Sequence, residues 1–419
     1  MDSDAMNRER SLERLANEAF DVVIVGGGAT GLGAAVDAAA RGYRTALVEA
    51  EDFASATSSR STKLVHGGVR YLQQGNVALV REALRERSRL LANAPHLVHE
   101  LAFVIPAYRA FDVPYYALGL KAYDLLAGRS AFSPSRIVSA TGARELVPGV
   151  AADGLRGAVV YSDGQFDDAR LAIALARTAT DHGAAVANYV RATGFTYDGA
   201  RVAGVHATDG ETGAAFVIRG RTIVNATGIF VDDVRHLDAP AAPRLLKHSR
   251  GTHVVVRAEA LGGATAALMI PKTSDGRVLF AIPWYEHVVI GTTDVKAPRA
   301  ELDPLPTDAE TRYILETVNR YLQRPLAETD VLARFAGLRP LVDRQASSTA
   351  KLSREHLIDA SPSGLVTITG GKWTTYRKMA EDVVTYAAAH AGLPQRPSTT
   401  ATLRLRGADG APAPGDLRA

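Results

Sequence analysis

The chain has no cysteine, which removes disulfides, thiolate metal sites, iron–sulfur clusters and cysteinyl catalysis from consideration and fits a reducing cytoplasm. No stretch reaches the roughly 18 consecutive apolar residues that a membrane-crossing helix needs. The N-terminal text, MDSDAMNRERSLERLANEAF, is charged and lacks the apolar centre of a secretory leader. It reads as a short helix outside the fold. Charge of one sign is lacking too. A net charge of +3 and a pI near 9.0 suit an anionic ligand or an anionic membrane surface. Without a Lys/Arg block or interleaved aromatics, they give no ground for nucleic-acid binding. Internal repeats are absent, and no metal site is expected. What remains is a chain of 419 residues, 47% hydrophobic and 22% charged, ordinary for a globular protein and long enough for two intertwined domains.

The most informative stretch runs from Phe20 to Glu49. Val22-Val23-Ile24-Val25 is apolar and β-branched, as in a buried parallel strand. Gly26, Gly28 and Gly31 fill the G-x-G-x-x-G spacing, an Ala-rich helix is predicted from Ala29 to about Arg41, and a second strand, Thr45 to Val48, ends on Glu49. The first glycine permits a tight turn, the second lets backbone approach a pyrophosphate, and the third lets helix and strand pack closely. The helix start offers N–H groups to phosphate, and Glu49 is placed to accept hydrogen bonds from a ribose. This is a dinucleotide site, with the choice between FAD and NAD left open by the fingerprint itself.

Further along, EDFASATSSRSTKLVHGGVRYLQQGN is dense in hydroxyls, glycine and cations, as suits a loop running along a cofactor. Val77 to Leu91 is an amphipathic helix with Val77, Val80, Leu84 and Leu91 on one face and its Arg and Glu residues on a solvated one. Residues 96–150 depart from βαβ patterning, which marks an insertion. A strand at Gly157–Tyr161 precedes a helix capped by Asp167 or Asp168. Val186–Thr193 and Arg201–Thr208 read as strands, with a hairpin turn at Asp209–Thr212, and Arg221–Ala226 as a strand running into Thr227-Gly228. Residues 237–332 alternate as in an antiparallel sheet with one covered face, followed by a helix from Asp308 to Leu322. Leu365–Thr369, Gly370-Gly371-Lys372 and a helix from Trp373 to Ala389 repeat the strand–glycine–helix construction. From Leu393 on, Pro, Gly, Ala and Thr predominate and predict a disordered tail.

GGGATGLGAAVDAAARG, ATSSRSTKLVHGGVRYL, VNATG, IPWYEHVVIGTTDV, AGLRPLVD and GGKWTTYRKMAE follow one another in this order. Together they resemble the FAD-dependent, respiratory quinone-linked glycerol-3-phosphate dehydrogenases, over about residues 20 to 390. The resemblance implies an α/β fold: an FAD-binding Rossmann-like domain of the glutathione-reductase/D-amino-acid-oxidase type with an inserted mixed α+β substrate domain. The expected division is 20–95, 151–236 and 333–392 for the discontinuous FAD domain and 96–150 with 237–332 for the substrate domain. Residues 1–19 would be an N-terminal extension and 393–419 a tail, ending where the family continues into a helical C-terminal domain. FAD would lie on Gly26, Gly28, Gly31 and Glu49. Thr57, Ser58, Ser61, Lys63, His66, Gly67 and Gly68 would run along it. Val190, Ala226, Thr227 and Gly228 would frame the adenosine side, and Gly371, Lys372, Trp373, Thr374 and Thr375 the isoalloxazine end.

The same resemblance implies a substrate pocket of Arg70, Tyr71, His253, Thr293, Arg339 and Lys372. Glycerol 3-phosphate carries about two negative charges near neutrality and needs more than one cation. Arg70, Arg339 and Lys372 each follow a glycine-containing turn. A base must take the C2 hydroxyl proton as hydride leaves C2. His253 has the suitable ordinary pKa, and Arg339 is the alternative, stabilising the alkoxide. The residues leave that choice open, while His66 reads as a flavin neighbour. The chain departs from the family at Ile229-Phe230 and at Trp373, where smaller or different residues are usual. The implied reaction is oxidation of glycerol 3-phosphate to dihydroxyacetone phosphate, with a quinone as electron acceptor. It would take place in the cytoplasm, with peripheral contact to the inner face of the membrane, in a form compatible with a homodimer. Two other readings stay open: a flavin oxidase acting on another substrate, and a non-catalytic FAD-binding form.

Overall fold

The computed structural model describes residues 7–68, 76–128, 132–271, 273, 276–343 and 356–410. Among these residues the longer strands sort into two sheets. In the first, Ala19–Val25 lies parallel between Thr45–Val48 and Ala215–Asn225. Ala185–Ala187 and Val366–Gly370 extend the parallel array on either side. Thr45–Val48 is buried at every position, which explains why its sequence shows no polar alternation. The helix Ala29–Ala40 covers one face, where its alanines allow a close approach, and the helices Asp168–Asp181 and Tyr376–His390 pack beside it. The other face is covered by the antiparallel hairpin Val190–Asp198 and Arg201–Asp209, which continues into Ala215–Asn225.

The second sheet is mostly antiparallel. Val98–Ala107 and Gly157–Phe166 pair along their whole length, so the strand at 157–166 belongs here, beside the insertion that precedes it. Leu246–Arg257 is paired along its length with Ala333–Val342 on one side and with His287–Gly291 and Val295–Ala297 on the other. Leu279–Trp284 and Ala267–Ile270 follow, and one parallel junction joins Ala267–Ile270 to Val98–Ala107. This is the mixed α/β architecture expected from the sequence.

Several sequence expectations are corrected. The N-terminal helix, Arg8–Asn17, does not lie outside the fold. Leu15 is buried against the first sheet, and Arg8 pairs with Asp209 and Glu211. The charged text concealed an apolar seam of Leu12 and Leu15 spaced for a helix. The helix Val77–Asn93 buries Val80, Leu84 and Leu91, but Val77 is exposed. Its charged residues are not all solvated: Glu86 and Arg87 are buried, paired with Arg377 and Asp163. The strand expected over Val186–Thr193 is broken at Tyr189, whose φ of +53° ends Ala185–Ala187 before Val190 starts the next strand. Residues 393–410 are no disordered tail. Leu393, Leu405 and Ala408 are buried, and the Thr400 carbonyl accepts a hydrogen bond from Asn93.

Candidate functional site

At the carboxyl end of Ala19–Val25 the glycine fingerprint closes tightly. Gly26 has φ +112°, and a Cβ there would lie 2.6 Å from the Ala226 carbonyl oxygen. A Cβ on Gly31 would be driven into the Gly26 carbonyl. A side chain at Gly26 would push against the Ala226–Thr227 backbone, and one at Gly31 would push the helix Ala29–Ala40 off the turn that follows the strand. Gly28 is the N-cap of that helix and supplies no capping side chain. The Ser58 hydroxyl takes the Ala29 N–H instead, at 3.0 Å.

Glu49 stands across the turn. Its carboxylate accepts the Gly27 N–H at 2.6 Å and the Glu51 N–H at 2.9 Å. Burial pushes its pKa up, against those two backbone donors, so further hydroxyl donors on its remaining lone pairs would favour the anion.

Beyond these residues opens a cavity of about 460 Å³. Gly26, Gly28, Glu49, Thr57, Ser58, Val190, Ala226, Thr227 and Gly228 line it, and the wall is closed by Gly371, Lys372 and Trp373. Ile229 and Phe230, the departures noted in sequence, line it too. Thr57 donates its hydroxyl to the Leu338 carbonyl at 2.7 Å, which ties the hydroxyl-rich loop to the second sheet. The Trp373 indole N–H donates to the Ser58 carbonyl at 2.8 Å, and its ring meets Phe166 and Tyr376 edge-on. Gly371, at φ +71°, leaves room for the Met379 side chain.

A second cavity, of about 310 Å³, adjoins the first through Thr57, Pro340, Gly371, Lys372 and Trp373, which line both. Ser61, His66, Gly68, His253, Thr293, Arg339 and Thr374 also line it. The Arg339 guanidinium donates to the Thr293 carbonyl at 3.2 Å and to the Thr292 hydroxyl at 3.1 Å, and Gly251 is the residue whose missing side chain lets it pass.

His253 is 2% exposed and stacks on Phe335 at 4.7 Å. Its Nε2 lies 2.9 Å from the Thr62 hydroxyl, and its Nδ1 is buried with no partner among the described residues. Burial, with the nearby charges of Arg339 and Lys63, lowers its pKa to about 3 and keeps the ring neutral.

The other residues expected from sequence fall as follows. Lys63 lines neither cavity: its ammonium is held by Asp168 at 2.6 Å and by the Ser59 carbonyl at 2.8 Å. Ser61 donates to the same Asp168 carboxylate. Gly67 gives its N–H to the Tyr123 hydroxyl at 3.0 Å. His66 and Thr374 hold each other, the Thr374 hydroxyl accepting the His66 N–H at 3.1 Å. Thr375 is buried, its hydroxyl directed at the Lys372 carbonyl. Arg70 and Tyr71 lie outside the described residues.

Sequence reasoning missed Arg277 and Asp294, which line the second cavity as an ion pair at 3.2 Å. Arg277 follows Gly276 just before the strand Leu279–Trp284, a place where an arginine has no distinctive signal. Asp294 stands in the string GTTDV beside Thr293, where an acid next to two threonines has no local mark of a site.

Comparison with known proteins agrees with this architecture. A family model described as FAD dependent oxidoreductase matches residues 21–377. The mitochondrial glycerol-3-phosphate dehydrogenase of Homo sapiens is 44% identical over 422 residues, covering 96% of this chain and 57% of that protein. The chain thus spans little more than half of that relative's length. A probable glycerol-3-phosphate dehydrogenase of Encephalitozoon cuniculi is 40% identical over 98% of this chain and 68% of its own. The X-ray structure of glycerol-3-phosphate dehydrogenase from Bacillus halodurans, complexed with FAD, superposes with a TM-score of 0.80 at 34% identity. It covers 99% of this chain and 73% of that one. The glycine turn, the two-sheet architecture and these likenesses place the chain in the glycerol-3-phosphate dehydrogenase branch of the FAD-dependent oxidoreductase family.

Proposed function

We propose that the chain oxidises sn-glycerol 3-phosphate to dihydroxyacetone phosphate with FAD as its cofactor and a quinone as the onward electron acceptor. The adjoining pair of cavities carries this reading: a glycine-built dinucleotide cradle opens, through a shared wall, into a smaller chamber lined by Arg277, Arg339 and Lys372. The first chamber fits FAD by its own construction, with backbone exposed where Gly26 and Gly28 lack side chains and a buried carboxylate at Glu49. FAD, when bound, supplies the acceptor for the hydride that leaves C2.

The chain's residues do the rest. Arg339, with its guanidinium plane fixed by Thr292 and Thr293, and Lys372 bind the phosphate and fix the direction of the three-carbon body. His253 is uncharged at neutral pH and so can accept the C2 hydroxyl proton. Burial is the main cause of its lowered pKa; a phosphate dianion in the chamber would offset only the smaller part that comes from Arg339 and Lys63. Arg339 cannot serve as the base, because a guanidinium does not deprotonate at these pH values.

We also propose contact with a membrane surface. Phe111, at the N-cap of the helix Asp112–Ala127, together with Tyr115, Leu118 and Leu125 on it, repeats at helical spacing and is between 63% and 84% exposed. Arg81 and Arg85, on the neighbouring helix Val77–Asn93, are exposed as well. No helix among the described residues is long and apolar enough to cross a membrane, so the stripe would rest on the surface, with the arginines towards anionic headgroups.

An anaerobic visible spectrum tests the reaction. Bleaching of the flavin band near 450 nm on addition of glycerol 3-phosphate is the expected result, that band being a property of oxidised flavin (about 450 nm). Bound flavin that stays unbleached would favour the non-catalytic reading, and bleaching by an amino acid instead would favour the oxidase one. Arg339→Ala should abolish the bleaching by glycerol 3-phosphate and leave FAD bound; loss of FAD as well would mean that Arg339 belongs to the first chamber.

A further inference from the structure

The helix Asp308–Asn319 opens with a capping box in which Thr307 and Glu310 hydrogen-bond reciprocally. Glu310 is buried, and only one of its oxygens serves the cap: Oε2 accepts from the Thr307 N–H at 3.1 Å, the Thr307 hydroxyl at 2.8 Å and Arg250 at 2.9 Å. The other oxygen leaves the helix and reaches the second sheet. Oε1 accepts from the Thr293 hydroxyl at 2.9 Å, the Thr252 hydroxyl at 3.0 Å and Arg250 Nε at 3.3 Å.

Thr293 is thereby fixed in both senses. Its hydroxyl proton goes to Glu310 and its oxygen accepts the Thr252 N–H at 2.9 Å. The next contact outward is the substrate chamber, where the Thr293 carbonyl and the Thr292 hydroxyl accept two N–H groups of Arg339. We infer that Glu310, which does not line the chamber, is a positioning residue that aims Arg339 at the substrate phosphate through Thr293. This inference rests on the reading of the chamber given above.

The chemistry of the six contacts explains why a carboxylate is needed. Every group facing Glu310 is a donor, so both oxygens must accept. The amide of glutamine places N–H hydrogens against donors at one end whichever way it is turned. Burial pushes the Glu310 carboxyl up, but the donors from Thr307, Arg250 and Thr293 outweigh it and hold the pKa below the usual value. The anion is therefore present at neutral pH, balanced by Arg250, and its effect on Arg339 runs through geometry.

The test uses the FAD-loaded full chain and 2-phosphoglycolate, a phosphate monoester with no secondary hydroxyl to oxidise, as the binding probe by calorimetry. Glu310→Gln and Thr293→Val should each raise its Kd and the KM for glycerol 3-phosphate by about tenfold, as expected for disturbing hydrogen bonds to a charged group. In Glu310→Gln, whose side chain lies outside the chamber, FAD content and the flavin reduction rate at saturating substrate should stay within about twofold. The two substitutions combined should cost little more than either alone, because they break one link. Thr307→Ala, which removes the cap hydroxyl and leaves Oε1 in place, should lower Tm without changing Kd.

Unchanged Kd in Glu310→Gln and Thr293→Val overturns the inference. So does a Thr307→Ala variant that weakens binding as much as they do, since the helix as a whole would then be responsible. If the wild-type protein neither binds the probe nor bleaches with glycerol 3-phosphate, the reading of the chamber itself fails. If it does both while Glu310→Gln matches it, only the positioning role is lost.

Discussion

Asp163→Ala is a substitution for which the structure predicts a large loss of stability. Asp163, on Gly157–Phe166, pairs with Arg87, on Val77–Asn93, at 2.7 Å, and the side chains are 2% and 1% exposed. Its second oxygen accepts the Tyr123 hydroxyl at 2.9 Å, and that hydroxyl accepts the Gly67 N–H at 3.0 Å. Burial opposes the charge on Arg87, yet Asp163 keeps it ionised. Removing the carboxylate leaves a guanidinium in the core under the ring of Phe132, 4.0 Å from its centroid. It also leaves a buried phenol without its acceptor. Breaking one side of a buried ion pair costs about 3–5 kcal/mol. Replacing both partners with apolar residues of similar size is close to neutral, so Arg87→Met with Asp163→Leu should recover most of that loss. Urea unfolding of the FAD-loaded protein, followed by far-ultraviolet circular dichroism and indole fluorescence, gives both numbers. A loss below about 1 kcal/mol for Asp163→Ala, or a double variant as unstable as the single one, would refute the reasoning.

Two further outcomes are expected. His253 has a folded pKa of about 3 against about 6.5 when unfolded, so its contribution to stability is complete above about pH 6.5 and is lost as pH falls from there towards 3. Between pH 6.5 and 5 the unfolding free energy should drop about 2 kcal/mol more in wild type than in His253→Phe; parallel pH profiles of urea midpoints would show that the imidazole is not held neutral. Gly31→Ala puts a methyl into the Gly26 carbonyl, a backbone atom that cannot swing aside. The purified protein should carry much less FAD and lose about 1–3 kcal/mol of stability. Full flavin content, measured by absorbance, would contradict the role given to that contact.

Much of the fold was legible because a parallel strand, a glycine turn and an alanine-rich helix write their geometry locally. Thr45–Val48 and the start at Ala29 stand in the structure as they read in the sequence. What was not legible depends on partners far along the chain. Glu86 and Arg87 lie on a helix whose charges recur at the spacing of an exposed face. Only the arrival of Arg377 and Asp163 from distant segments makes them buried pairs. Glu310 carries the full signature of a helix start, and nothing in that signature says that its second oxygen continues into a sheet. The packed segment 393–410 has the composition of a tail because its order comes from the surface it lies on, chiefly Asn93 and Arg377. In the candidate site, glycines and hydroxyls announced the first chamber, whereas Arg277 and Asp294 in the second are paired across a hairpin and show no local pattern.

The wall shared by the two chambers has a consequence for measurement. Thr57, Pro340, Gly371, Lys372 and Trp373 face both sides, so a ligand that orders them from one side alters the surface offered on the other. Binding free energies coupled in this way are reciprocal: whatever factor FAD contributes to the affinity for a phosphate ester, the ester returns to FAD. Neither dissociation constant is then a property of one chamber alone, and a flavin titration carries meaning only with the concentration of phosphate ester stated beside it.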